Sequence, residues 1–338
     1  MATIYNISIN WDNLTPEVQL VFIEVPCPCT ALGDYVWVDT NKNGKQDEPP
    51  GNGVNNVKVE LLKCDNTPAL DNHGNPLVTY TANDSNGNPG YYLFPNLIPG
   101  CYRVKFTPPC GYGFTTKDAI GTDDSTGSDV DNTGLTGNIN LPWGVKDLRW
   151  DAGLVCLTPV LSGTPADTGY QCLGDMQSPA DVTAVDSCGN PLTVDFEENQ
   201  SKPGSSCGNV VTRTWKATSP CGEIASYTQT IVIQDTTAPL VSVPTGSFLG
   251  CNPTSIPTDD SIKALVSASD NCGEPIVTVT HEDGGSLCLP TRTFKVVVTD
   301  SCDNAAEARF VTFSWKVDND APTVTAPVGI AYGCNPAS

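Results

Sequence analysis

The chain has 338 residues, enough for two to four domains, and its 30 glycines and 28 prolines interrupt it too often for long helices. Thirty-eight acidic against 17 basic residues give a net charge of -21, which argues against nucleic acid and anionic membranes as partners and favours Ca2+ or polycations. Fifteen cysteines with only His73 and His281, and no C-x-x-C, exclude a zinc or redox centre and predict disulfides in an oxidising compartment.

Residues 1–29 open on "MATIYNISINW", which lacks the basic and apolar regions of a signal peptide. They read as two strands, "TIYNISINW" and "VQLVFIEV", joined by the turn "DNLTPE". So few residues bury no core of their own, so this pair is expected to serve as an inter-subunit element. No apolar run in the chain approaches the roughly 20 residues of a membrane span, so no membrane insertion is expected.

Residues 30–157 are rich in Asp, Asn, Tyr and Trp, and "VKVELLKC" and "GCYRVKF" read as half-buried strands. In "DTNKNGKQDE" the residues Asp39, Asn41, Asn43 and Asp47 take positions 1, 3, 5 and 9 of a calcium loop. Gly44 supplies the sharp turn, the Lys45 carbonyl stands at position 7, and Glu48 or an acid from another loop would close the shell. Position 12 is Pro50 and the flanks read as strands, so the loop is not an EF-hand. Two more oxygen-rich loops follow, "NDSNGNPG" with Asp84 and Asn86, and "KDAIGTDDSTGSDVDNTG" with Asp118, Asp123, Asp124, Asp129 and Asp131. Five carboxylates so close in sequence repel one another without a counter-ion. Cys64 ends one strand and Cys101 begins another, so they are expected to pair; Cys110 and Cys156 stay unassigned.

The strings "LGDYVWVDTNKNGKQDE", "NGNPGYYLFPNLIPGCYRVKF", "GSDVDNTGLT" and "WDAGL" resemble, in that order, the B-type repeats of serine-aspartate repeat surface proteins. The resemblance implies a prealbumin-like β-sandwich holding several Ca2+ ions that rigidify a surface stalk. It assigns ligand roles to Asp39, Asn41, Asn43, Asp47, Asp84, Asp124, Asp129 and Asp131, with Asp34 and Asp151 as structural neighbours.

Two repeated units follow, 158–239 and 240–322. The first carries Cys172, Cys188 in "VDSCG", Cys207, "TRTWKAT" and Cys221, closing on "DTTAP"; the second carries Cys251, Cys272 in "SDNCG", Cys288, "TRTFKVVVTD" and Cys302, closing on "DNDAP". The pattern resembles hyalin-repeat-like modules of secreted bacterial proteins, implying immunoglobulin-like sandwiches used as spacers or adhesive units. Short strands between close-set turns independently read as such sandwiches. Four cysteines allow three pairings per unit. The turn cysteines are expected at one end, Cys188 with Cys221 and Cys272 with Cys302, leaving Cys172 with Cys207 and Cys251 with Cys288 at the other. Residues 323–338 open a further unit and read as a partial module or inter-subunit strand, with Cys334 the odd cysteine, expected to bond across a junction to Cys27 or Cys29 of another copy.

The fold class expected is therefore all-β, tandem sandwiches with a partial third module. No G-x-S-x-G or H-E-x-x-H occurs, and "HEDGG" at His281 reads as a polar hairpin end, so no catalytic residues are expected. The function expected is an extracellular filament or stalk subunit rigidified by Ca2+ and disulfides, whose partners are head-to-tail copies of itself; the alternative is a surface adhesin for a host or matrix ligand.

Overall fold

A computed structural model describes residues 30–329; the expected N-terminal strand pair, Cys27, Cys29 and Cys334 lie outside the described residues. The described chain is built almost wholly of strands.

The first domain folds as a sandwich. One sheet has the order β4 (Tyr91–Phe94), β1 (Ala31–Val38), β9 (Ala152–Cys156), β6 (Tyr112–Phe114), with β8 (Lys146–Asp147) also on β1. The other has the order β3 (Val78–Tyr80), β2 (Lys58–Lys63), β5 (Gly100–Thr107), β7 (Ile139–Leu141). Strand alternation decides the core: Val59 and Leu61 of β2 and Tyr102, Val104 and Phe106 of β5 point inward. They meet Leu32, Val36, Tyr92, Phe94 and Leu154 from the opposite sheet.

Each repeated unit has the same topology. In the first, β10 (Val160–Ser162), β12 (Thr183–Val185) and β13 (Pro191–Leu192) form one sheet, and β11 (Thr168–Tyr170), β16 (Ile224–Gln234), β15 (Cys207–Thr218) and β14 (Val194–Gln200) the other. The second pairs β17 (Leu240–Ser242) with β19 (Ser267–Ser269), opposite β18 (Phe248–Cys251), β22 (Arg309–Lys316), β21 (Pro290–Thr299) and β20 (Ile276–Gly285). The short edge strand runs parallel to its neighbour in both, β11 on β16 and β18 on β22. A one-turn helix, Asp259–Lys263, is closed by a capping box from Thr258 and Ser261. No strand is assigned over residues 317–329.

Five hairpin turns share one device. Asp71, Asp84, Asp131, Asp186 and Asp300 each accept, through one carboxylate oxygen, the amides two and four residues ahead, at 2.7 to 3.2 Å. The residue three ahead takes a left-handed conformation, which Gly supplies in four of them and Asp303 (φ 65) in the last. In two of these turns the residue two ahead is a cysteine, Cys188 or Cys302, so the turn also orients a sulfur. Asp270 holds the amide of Cys272 in the same way at 2.9 Å.

The disulfides correct the expected pairing. Cys64 is joined to Cys101. Cys188 bonds not to Cys221 but to Cys110 of the first domain, and Cys221 bonds to Cys156. Cys272 bonds to Cys172 and Cys302 to Cys207, not to each other. Cys251 and Cys288, expected as a pair, are free and exposed. Each turn cysteine bonds instead to a cysteine of the preceding module.

Contacts divide the chain into two compact units, and the boundary runs through the first repeated module. Unit 1 joins the first domain to residues 180–197 and 214–228. It contains Cys110–Cys188 and Cys156–Cys221, the Lys42–Glu223 ion pair at 3.2 Å, and a stack of Phe196, Trp215 and Tyr227. Unit 2 joins residues 166–179 and 198–213 to everything from 229 onward. It contains Cys172–Cys272, Cys207–Cys302, a small cluster around Val211, Ile231 and Ile233, and the core of the second module around Phe294, Val296, Val298 and Val311.

Non-reducing peptide mapping should recover Cys110–Cys188, Cys156–Cys221, Cys172–Cys272 and Cys207–Cys302. The double variant Cys207→Ser/Cys302→Ser, which opens a loop of 95 residues, should lower unit 2 stability by about 2 to 5 kcal/mol in denaturant melts; an unchanged midpoint would refute a structural role for this bond.

Candidate metal centre

The calcium-type loop lies between β1 and a single 3-10 turn, Pro50–Asn52. Asp39 is buried at its head, accepting the amides of Asn43 at 3.1 Å and Gly44 at 2.7 Å and the hydroxyl of Thr115. Gly44 must be glycine twice over. Its φ is +74, and a Cβ there would meet the Thr116 carbonyl and Ala119 at 2.8 Å. Asn41 and Asn43 each donate a side-chain amide to Asp47 at 3.0 Å, which holds that carboxyl below its ordinary range. Glu48 accepts the Thr40 amide through one oxygen at 2.8 Å, and its other oxygen is buried with no hydrogen-bond partner.

The third acidic loop is stitched to the first. Lys45 bridges Gly127 and the Gln46 amide donates to Thr126 at 2.9 Å. Behind that seam stands a buried carboxylate cluster. Asp129 and Asp151 are linked reciprocally: the Asp151 amide donates to the Asp129 carboxylate at 2.6 Å and the Asp129 amide to the Asp151 carbonyl at 3.1 Å. Burial raises the carboxyl of Asp129 to about 8, with Asp124 and Asp118 adding to the effect. Burial, then Asp34 and Asp129, raises that of Asp151 to about 9. Asp34 is lifted to about 7 by burial and by Asp147. One Asp151 oxygen is buried without a partner. Asp147 is apart in character, neutralised by Arg149 at 2.8 and 3.0 Å and by the Trp150 indole at 3.0 Å.

The expected ligands thus divide. Asp39, Asn41, Asn43, Asp47 and Glu48 lie together in one loop, whereas Asp118 and Asp124 act on Asp129, and Asp34 and Asp129 on Asp151, through their charge. Asp84, Asp123 and Asp131 are instead satisfied inside their own turns. Asp84 also accepts the Tyr35 hydroxyl at 2.6 Å, and Asn86 serves as its turn partner. Short Asp-, Asn- and Gly-rich strings mark these turns as well as the metal-type loop, so composition alone does not tell the two apart. Among the described residues, no three Asp, Glu, His or Cys ligand atoms of this domain lie within 4.8 Å of one another, so the first loop depends on its asparagine amides and backbone carbonyls. The donors are all oxygen, which suits a hard cation. His281, outside this domain, is held by Asp259 at 2.7 Å.

Residues 30–154 match the SdrD B-like domain profile, and residues 162–233 the profile of the HYR-like domain with 4 cysteines. The chain therefore carries an SdrD B-like domain followed by an HYR-like domain. Serine-aspartate repeat-containing protein C of Staphylococcus aureus is 45% identical over 105 residues in strain Newman and 46% in strain N315, covering 31% of this chain. The match spans 9% of the length of those relatives. Among solved structures, BcpA, the major pilin subunit of Bacillus cereus, aligns at 12% identity over 86% of this chain and 98% of that one, with a TM-score of 0.26. Drosophila N-cadherin EC1-4 aligns at 11% identity over 87% of this chain and 76% of that one, with a TM-score of 0.22.

The acidic groups of the SdrD B-like domain give its metal-stripped form a pH optimum. Asp47, Asp84, Asp123 and Asp131 have lowered carboxyl pKa values in the fold, so their stabilisation is present above about pH 4 and lost in acid. Asp34, Asp129 and Asp151 keep protons that the unfolded chain releases, so their contribution is lost as pH rises through about 7 to about 9. The melting temperature in chelator should fall between pH 6 and pH 9, and Asp151→Asn should flatten that fall. A melting temperature that rises over the same interval would contradict the raised values.

Proposed function

We propose that the protein is an extracellular structural element, a segment of a bacterial surface stalk or filament in which each module is covalently fastened to the next. The observation that carries this reading is the disulfide pattern: of the five bonds among the described residues, four run from one module to its neighbour. Bonds within a module would protect each sandwich singly. Bonds between modules resist bending and extension of the series, which is what a stalk requires. The relatives carrying an SdrD B-like domain support a surface location, and the all-oxygen loops with orphaned oxygens on Glu48 and Asp151 support Ca2+ as the ion that neutralises the acidic face.

The same pattern supports a reading of how the series continues. Cys172 and Cys207 at the far end of the first module bond to the turn cysteines of the second. Cys251 and Cys288 hold the corresponding places in the second module and are exposed thiols. In this reading each takes a turn cysteine of a following module, in the same chain or another copy, with two electrons and two protons per bond passing to a disulfide oxidant.

Force spectroscopy on the oxidised protein should give a shorter extension before rupture than on the reduced protein, since the crossed bonds hold slack chain in reserve; equal extensions would remove the mechanical reading. Added Ca2+ at a hundredfold excess over Kd should stabilise the first domain by about 2.7 kcal/mol, and a melt unaffected by chelator would remove Ca2+ from it. In assembled material from the producing cell, Cys251 and Cys288 should resist alkylation and map to Asp-x-Cys peptides, whereas finding them bonded to each other would end the proposed continuation.

A further inference from the structure

Where the first repeated module gives way to the second, Asp235 of "DTTAP" is completely buried. One of its oxygens accepts the Thr237 amide at 3.0 Å, with the Asn271 side-chain amide at 3.5 Å. The other oxygen has no hydrogen-bond partner. Asp270 faces it from the turn after β19; one oxygen accepts the Cys272 amide at 2.9 Å, and the other is likewise buried and unpartnered. Oxygens of Asp235 and Asp270 and the sulfur of Cys272 lie within 4.8 Å of one another. Asp300, in the turn after β21, also stands beside Asp235, and Asn304 of that turn donates to the Asp235 carbonyl at 3.1 Å. All these residues belong to unit 2.

Two neighbouring buried carboxylates, each with one oxygen that no donor reaches, call for positive charge between them. The basic groups of unit 2 that form ion pairs find their partners elsewhere, Arg213 with Glu198, His281 with Asp259, Arg292 with Asp283, Arg309 with Glu307 and Lys316 with Asp318, and Lys202 donates to the Cys207 carbonyl at 2.9 Å. The sulfur supplies no thiolate, because Cys272 is bonded to Cys172. That leaves an oxygen-only donor set of carboxylates, which suits a hard divalent cation rather than zinc. We propose that Asp235 and Asp270 hold a Ca2+ ion at this junction, with Asp300 lending negative charge.

The site is distinct from the loops of the SdrD B-like domain and does not depend on the reading given to them. It also contains an internal control. Asp318 occupies the place of Asp235 in the next junction string, "DNDAP", but it is exposed and pairs with Lys316 at 3.2 Å. A cation there and the two sulfur bridges would fix the same junction from two sides, one ionic and one covalent.

Native mass spectrometry of the full oxidised chain, stripped with chelator and refilled with Ca2+ alone, tests the site. Asp235→Asn and Asp270→Asn should each bind one ion fewer than the wild type, while Asp318→Asn should bind the same number. Should the buried asparagine variants fail to fold, hydrogen–deuterium exchange on the wild-type chain decides: Ca2+ should slow exchange over residues 235–239 and 269–273. Equal stoichiometry in the folded variants, or exchange at those peptides that Ca2+ does not change, overturns the proposal, the second result meaning that the two carboxyls share a proton instead. Loss of ions from the first domain alone leaves the expected difference between wild type and Asp235→Asn intact, so the two metal readings fail separately.

Discussion

A repeated module here has very little core with which to hold itself in place. The first gathers Val211, Ile231 and Ile233 as one buried cluster, with Val182, Ala184, Trp215 and Ala217 buried outside it, against seventeen clustered residues in the preceding sandwich, and a sandwich so thinly filled is marginal by itself. The sulfur bridges to its neighbours supply what the apolar interior does not. They constrain the unfolded chain over separations of 65 to 100 residues, far longer than bonds inside a turn would, and in the chain-entropy account the longer loop gives the larger stabilisation. Their placement explains why the compact units cut across the first module: each half is tied to a different partner.

The turns make that placement possible. A carboxylate that accepts the amides two and four residues ahead fixes the hairpin tip, and in the turns of Asp186 and Asp300 it fixes the cysteine two residues on as well. The same short polar motif therefore does two jobs, and the cysteine is delivered to the end of the module with little conformational entropy left to lose. The two edge strands that run parallel to their neighbours, β11 and β18, lead into Cys172 and end on Cys251, while Cys207 opens β15 and Cys288 precedes β21.

Charge is handled in two ways in the first domain. Carboxylates in turns are exposed and saturated by amide donors, and they favour the ionised form. Those behind the stitched loops are buried together and favour protons or a cation. The net charge of -21 is thus not spread evenly in its consequences. Most of it is solvated, while a small buried fraction carries most of the electrostatic strain and points to where an ion would bind.

Much of this was legible in the sequence. Alternating Val, Ile and Tyr runs between Gly and Pro breaks gave the strands, and the two four-cysteine units gave the repeated strand order, because pattern and period are local properties. The loop Asp39–Glu48 could be read from spacing for the same reason. The disulfide partners could not. Which sulfurs meet depends on the direction in which one sandwich follows another, and sequence spacing within a module carries no information about that. Nor could the sequence separate Asp84 and Asp131, which close turns, from Asp34 and Asp151, which face inward, since all four are aspartates in short polar or strand-edge strings. Only the packing of β1 against β9 buries Asp151 beside Asp129, and only the approach of the turn after β19 to the end of β16 sets Asp235 beside Asp270, each with one oxygen that no donor reaches.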